Sequence, residues 1–168
     1  MKNSSPTTDA LALRMPSAAD GFALNRLVSN CPPLDGNSVY CNLLQCTHFA
    51  GTSVAAEVQG KLAGFISGYL VPARADTLFV WQVAIDPAFR GQGLATRMLS
   101  ELLARPACAQ VLYLETTVTE TNRASWSLFE GLARKMKVEL KSTLHFDKSA
   151  HFRGEHESEC LIRIGPFA

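Results

Sequence analysis

Arg90-Gly91-Gln92-Gly93-Leu94-Ala95 is the run of this sequence with the plainest chemistry. It follows the apolar stretch Val83-Ala84-Ile85 and the pair Asp86-Pro87, and it leads into an apolar segment of helical period. A strand, a short loop and two glycines entering a helix leave several backbone N–H groups unpaired at the positive end of a helix dipole. That is a natural site for a phosphate. Glycine suits the turn because a side chain would hold the phosphates away from the backbone. Arg90 adds a cation at the rim. A tight turn without any ligand would use the same glycines, so this run alone does not settle its role. The spacing does exclude two cofactor sites. There is no GxGxxG dinucleotide fingerprint, and no GKS or GKT of a nucleoside-triphosphate loop.

A second concentration of reactive side chains is His151-Phe-Arg-Gly-Glu-His156-Glu-Ser-Glu159. It does not form HExxH, and no metal is expected there. The five cysteines (Cys31, Cys41, Cys46, Cys108 and Cys160) are odd in number and contain no CxxC pair. They read as reduced thiols packed as small hydrophobes rather than as a disulfide framework or a zinc site.

The elements that must carry these residues follow from periodicity and punctuation. A short strand is expected over 11–15. Ser17 and Asp20 have capping-box spacing for a helix reaching about Ser29, and Cys31-Pro32-Pro33 stops it. Asn37 or Ser38 can cap a second helix over 39–46. Residues 52–58 and 62–70, joined by Gln59-Gly60-Lys61, read as an antiparallel hairpin. A loop over 72–76 leads to a strand over 77–85, on which Trp81 alternates onto the same face as Phe79 and Val83. A helix opens in 91–95 and runs to about Ala104. A strand over 111–116 follows, then a helix from Asn122 through Leu132. Val138, Leu140, Leu144 and Phe146 then alternate as in a half-buried strand, and Cys160, Ile162 and Ile164 repeat the pattern. The order predicts an α/β domain with a mixed sheet.

Size and charge agree. The chain has 168 residues, with 47% hydrophobic and 18% charged, which suits one globular domain over 11–168. Sixteen Lys and Arg against fifteen Asp and Glu give a net charge of +1, which argues against a nucleic-acid coat. No apolar run approaches the ~20 residues of a membrane span. Residues 1–10, MKNSSPTTDA, read as a loose, disordered tail without the apolar core of a secretory signal. A cytoplasmic chain is expected.

The 90–95 run resembles the R/Q-x-x-G-x-G/A turn of the GNAT N-acetyltransferases. The resemblance extends upstream to Val83-Ala84-Ile85-Asp86 and downstream to Asn122 after the next strand. Three longer strings, 34–49, 76–83 and 114–129, look like the L-2,4-diaminobutyrate acetyltransferases of ectoine biosynthesis. The likeness spans roughly residues 12–164. It implies a GNAT fold, a mixed and mostly antiparallel central sheet flanked by helices. It implies acetyl-CoA as cosubstrate, with its pyrophosphate on the amides of Gly91, Gln92, Gly93, Leu94 and Ala95, beside Arg90. The pantetheine arm would pair like an extra strand with Val83, Ala84 and Ile85, with Asn122 also on the cofactor. The implied chemistry is direct attack by the substrate γ-amine on the thioester, with a backbone N–H near Val83 for the developing oxyanion. A homodimer is implied as well, with neither nucleic acid nor membrane as partner. Many GNAT members carry Tyr seven residues after the Asn. Here that position is Phe129, which cannot donate a proton.

A small zwitterionic diamino acid calls for carboxylates and few free cations around it. Asp35 and Glu159 are the candidates for ammonium binding and for the base, with Trp81 and His156 lining the same pocket. Tyr40 is a candidate to protonate the thiolate in place of Phe129. Two alternatives stay open on these residues: a GNAT enzyme for another amine, amino acid or protein N-terminus, and a non-catalytic acyl-CoA sensor. The phosphate turn is common to all three.

Overall fold

The computed structural model describes residues 10–168, so the expected tail lies outside the described residues except for Ala10. The chain opens with β1 (Ala12–Arg14), α1 (Gly21–Ser29) and α2 (Val39–Thr47). A meander follows, of β2 (Val54–Val58), β3 (Lys61–Val71) and β4 (Arg74–Ile85). Then come α3 (Leu94–Leu103), β5 (Tyr113–Thr119), α4 (Arg123–Met136), β6 (Leu140–Phe146) and β7 (Glu159–Ile164). One seven-stranded sheet holds them in the order β1-β2-β3-β4-β5-β7-β6. Only β4 and β5 run parallel, and every other pair is antiparallel.

Local signals set the helix starts. Ser38 caps α2, its hydroxyl accepting from the Cys41 N–H at 3.0 Å. Asn122 caps α4, its side-chain oxygen accepting from the Ser125 N–H at 3.2 Å. The helices cover both faces of the sheet. Met98, Leu99 and Leu102 of α3 and Phe129 and Leu132 of α4 pack with Ile66, Leu78, Val80, Leu114 and Ile162. On the other face, Leu24, Leu27 and Val28 of α1 and Cys46 of α2 pack with Ala55, Phe65 and Ala84. Burial pushes the Cys46 thiol up to about 12, as expected of a thiol packed as a hydrophobe.

The simple alternation expected of β4 breaks at Trp81. Gly68 pairs with Val80 while Ser67 pairs with Gln82, so Trp81 is the extra residue of a β-bulge. The Ser67 hydroxyl accepts from the Gln82 N–H at 3.1 Å and holds the bulge. The phase therefore shifts. Leu78 and Val80 before the bulge, and Val83 and Ile85 after it, all pack toward α3 and α4. Val83 does not share the face of Phe79 and Trp81, which correspond instead to the Tyr69 side of the sheet. Gly68 is required here, since a Cβ would come within 2.9 Å of both the Phe79 and Thr52 carbonyl oxygens.

Past the bulge, β4 and β5 part. Their parallel ladder covers only Thr77 to Phe79 against Tyr113 to Glu115. A last tie comes from the Thr116 hydroxyl, which donates to the Val80 carbonyl at 3.0 Å. The splay leaves the 81–85 end of β4 without β5 as a neighbour, and a cleft opens there.

Two further expectations change. The 72–76 loop is a two-residue turn, because Val71 already pairs with Arg74. The polar run Arg74-Ala75-Asp76 hid a strand whose first residue is held by the Glu115 carboxylate at 2.7 and 2.8 Å. β6 is not half-buried. It is the sheet edge, with Leu144 61% and Phe146 41% exposed, and only Leu140 reaches the core. Alternation tells which side chains share a face, not whether anything covers that face.

Candidate active site

The turn after β4 has the geometry of an anion cradle. Gly91 and Gly93 have φ of +72° and +73°, the left-handed region that glycine enters without strain. Gly93 is the N-cap of α3 and supplies no side chain to the first N–H groups of that helix. A Cβ built at either glycine would meet no protein atom within 4 Å. Space and unclaimed donors therefore face the same opening, and the residues fit a pyrophosphate. Arg90 donates from Nε to the Ile85 carbonyl at 3.0 Å. The Cys31 thiol approaches the same oxygen at 3.3 Å. The Ile85 carbonyl is thus occupied. The Asp86 N–H donates to the Ala63 carbonyl at 2.9 Å, so Ala84, two residues back, also faces β3, and the groups left open on the outer edge are those of Val83 and the Ile85 N–H.

A cavity of about 430 Å³ lies over this turn, lined by Val83, Ile85, Gly91, Gly93, Leu94 and Asn122 among others. A second, of about 690 Å³, lies on the β5, β7 and 147–158 side. Pro33, Leu34, Val83, Asn122 and Ser125 line both. The two are halves of one cleft, and they meet at the splayed strand end.

The second half gathers the expected acceptor-side residues. Asp35, Trp81, His156 and Glu159 all line it. Its walls also carry Glu155 and Glu157, the latter paired with Lys148 Nζ at 2.7 Å, and no lysine or arginine lines it among the described residues. The imidazole of His156 is central. Its Nδ1 lies 2.7 Å from the Glu157 carbonyl, which can only accept, so Nδ1 carries the hydrogen. Nε2 then sits between two carboxylates, 3.6 Å from Asp35 and 3.9 Å from Glu159. Glu159 begins β7 and is half-buried, with Oε2 shielded from water and unpartnered. Burial raises its pKa above the usual carboxylate range, Asp35 adds to this, and His156 and the Thr117 hydroxyl pull the other way. A buried, orphaned carboxylate oxygen beside a cavity is suited to take an ammonium group or its proton.

Tyr40 stands apart. It is 71% exposed on α2 and lines neither half of the cleft, so the structure does not bring it to Asp35 and Glu159. Phe129 is 2% exposed and part of the α4 core. Gln92 donates to the Ala88 carbonyl at 3.2 Å, within the turn. His151 belongs to the 147–154 loop, where its Nδ1 accepts the Asp147 N–H at 2.8 Å. No group of three metal-ligating side chains occurs among the described residues.

Sequence reasoning missed Gln82, Asn37 and Thr117. Gln82 enters the cleft because of the bulge, which no periodicity shows. Asn37 donates to the Gln82 side-chain oxygen at 2.7 Å. The sequence offered Asn37 only as a helix cap.

Comparison with known proteins gives this cleft a family. Residues 24–133 match the Acetyltransferase (GNAT) family. The L-2,4-diaminobutyric acid acetyltransferase of Methylotuvimicrobium alcaliphilum is 54% identical over 94% of this chain and 91% of its own length. That of Vibrio parahaemolyticus is 51% identical over 90% of this chain and 83% of its own. A solved structure, the diaminobutyrate acetyltransferase EctA from Paenibacillus lautus in complex with its substrate L-2,4-diaminobutyric acid and coenzyme A, superposes with a TM-score of 0.92. It is 38% identical and covers 96% of this chain and 98% of that one. The chain belongs to the GNAT acetyltransferase family and, within it, to the L-2,4-diaminobutyric acid acetyltransferases.

Proposed function

We propose that the chain transfers acetyl from acetyl-CoA to the γ-amine of L-2,4-diaminobutyrate, giving Nγ-acetyl-diaminobutyrate for ectoine biosynthesis. The N–H groups of the 91–95 turn and Arg90 take the pyrophosphate, and Asn122 stands where the two halves of the cleft join. The pantetheine arm pairs as a further strand along Val83 to Ile85, where the Val83 groups and the Ile85 N–H are open, and an N–H near Val83 donates to the oxygen that gains charge during attack. A primary amine with a pKa near 10.4 is ammonium at neutral pH, and removing its proton costs roughly 4–5 kcal/mol. Glu159 attracts that ammonium and accepts the proton, directly or through a water. Asp35 and His156 complete the polar wall, and Trp81 supplies an apolar one.

The observation that carries this reading is the junction itself. An anion cradle and a carboxylate-lined cavity meet at Val83 and Asn122. A non-catalytic sensor would have no use for the second half. CoA release measured across a panel of diamines and amino acids tests it. Diaminobutyrate is expected to give the highest kcat/KM, and an amine outside the diamino acids giving a higher one would reject the assignment.

We place the enzyme in the cytoplasm, as one domain over 11–168, acting as a homodimer. One sheet running through residues 12–164 supports the single domain. No helix among the described residues is long and apolar enough to cross a membrane. Exposed Met15, Phe22, Val39 and Tyr40, and Leu144 and Phe146 on the edge strand, support a partner surface.

A further inference from the structure

Between α1 and α2 the structure buries amides where amphipathic helices ordinarily bury aliphatics. Asn42 is 0% and Gln45 1% exposed, and neither lines the cleft. Burying such groups costs free energy unless their hydrogen bonds are made. The bonds they make form a chain that leads out of the core. Asn42 Nδ2 donates to Gln45 Oε1 at 2.9 Å. Asn42 Oδ1 accepts from Asn25 Nδ2 at 3.0 Å, and the same Asn25 nitrogen donates to the Asn37 carbonyl at 2.8 Å. Asn37 Nδ2 donates to Gln82 Oε1 at 2.7 Å, and Gln82 Nε2 donates to the Asp35 carbonyl at 3.0 Å. The chain starts at Gln45, whose Nε2 is buried and unpartnered, and ends on the backbone of Asp35. Each link joins one donor to one acceptor, so the amide orientations set one another.

We propose that Asn42 is a positioning residue that, through Asn25, Asn37 and Gln82, holds the 35–37 loop against β4 and so sets where Asp35 stands in the acceptor half of the cleft. The loop needs outside support. Asp35 is exposed, its carboxylate approaches only His156, at 3.6 Å, among the described residues, and Gly36 follows it. The bulge contributes the other anchor, since Gln82 reaches the loop only because β4 changes phase at Trp81. The polar core between α1 and α2 is thereby tied to substrate recognition as well as to packing. This rests on the reading of Asp35 as part of the acceptor wall.

The test separates positioning from mere stability. Asn42→Leu keeps size and removes both bonds, and Asn25→Ala removes the next link at a half-buried position. In each, KM for diaminobutyrate is expected to rise about fivefold or more, while kcat and acetyl-CoA affinity stay within about twofold. Combined with Asp35→Asn, Asn42→Leu is expected to add little further loss, because both act through one carboxylate. Folded variants with unchanged KM, or full additivity with Asp35→Asn, would overturn the proposal. An Asp35→Asn enzyme with wild-type KM would instead overturn the acceptor-wall reading beneath it. Where Asn42→Leu does not fold, Asn25→Ala decides.

Discussion

In the proposed reaction Glu159 has two duties that oppose each other in water: to attract an ammonium group as an anion, and to hold a proton that an ordinary carboxylate releases. Partial burial serves both by raising its affinity for a proton above that of an ordinary glutamate. Glu159→Gln and Asp35→Asn are each expected to cut kcat/KM for diaminobutyrate at least 30-fold, about 2 kcal/mol of transition-state stabilisation. Acetyl-CoA affinity is expected to stay within about threefold, since neither residue touches the phosphate turn. The pH dependence follows from the direction of the Glu159 shift. A base must be ionised to act, so kcat/KM falls as pH drops through the Glu159 pKa, and that limb lies above the ordinary glutamate value of about 4.3. The limb is expected to vanish in Glu159→Gln and to persist in Asp35→Asn. The reverse pattern would make Asp35 the base.

The geometry of the 90–95 turn was readable residue by residue, because its glycines, its arginine and its place between a strand and a helix are all local features. Gly93→Val is expected to weaken acetyl-CoA binding tenfold or more, measured by titration calorimetry on folded protein. A branched residue at φ +73° is strained, and its side chain would enter the open space above the turn. Unchanged CoA affinity would remove the phosphate-site assignment. The acceptor side was less legible. Asp35, Trp81, His156 and Glu159 could be named from the sequence, but what aligns them is non-local. The bulge at Trp81 depends on how Ser67 and Gly68 of the neighbouring strand are paired. Asn37 and Gln82 look like ordinary polar residues until the loop and strand meet. Edge position likewise escaped periodicity, which is why β6 alternates and yet lies exposed. The start of β4 was hidden for a similar reason. Arg74 reads as a loop residue until Glu115, 41 positions away, is seen to hold it.

At the scale of the molecule, Glu115 is the pin of the sheet. It is 3% exposed and takes Arg74 from β4 and Arg163 from β7, and Arg163 in turn lies 3.7 Å over the Tyr113 ring. The Arg74 guanidinium, together with Arg163, holds its carboxyl below the usual range against the effect of burial. Its stabilisation is therefore full above the unfolded-state value of about 4.3 and is lost as pH falls through the lower folded-state value. Glu115→Gln is expected to lower stability by about 2 kcal/mol, discounted because Arg74 is partly exposed, and to flatten that acidic part of the stability curve. Denaturant melts from pH 2 to 7 check both. In light scattering, the apolar side chains left exposed on α1, α2 and β6 are expected to give a species of twice the 18.3 kDa chain mass. A monomer would remove the homodimer. The proposed reaction acetylates the γ-nitrogen and leaves the α-nitrogen free. Isotope-edited NMR of the product made with carbonyl-¹³C acetyl-CoA is the direct measurement. Besides the acetyl methyl and amide N–H, the labelled carbonyl is expected to correlate with the γ-CH₂ protons and not with the α-CH. A correlation to the α-CH, or no labelled diaminobutyrate at all, would contradict the proposed reaction.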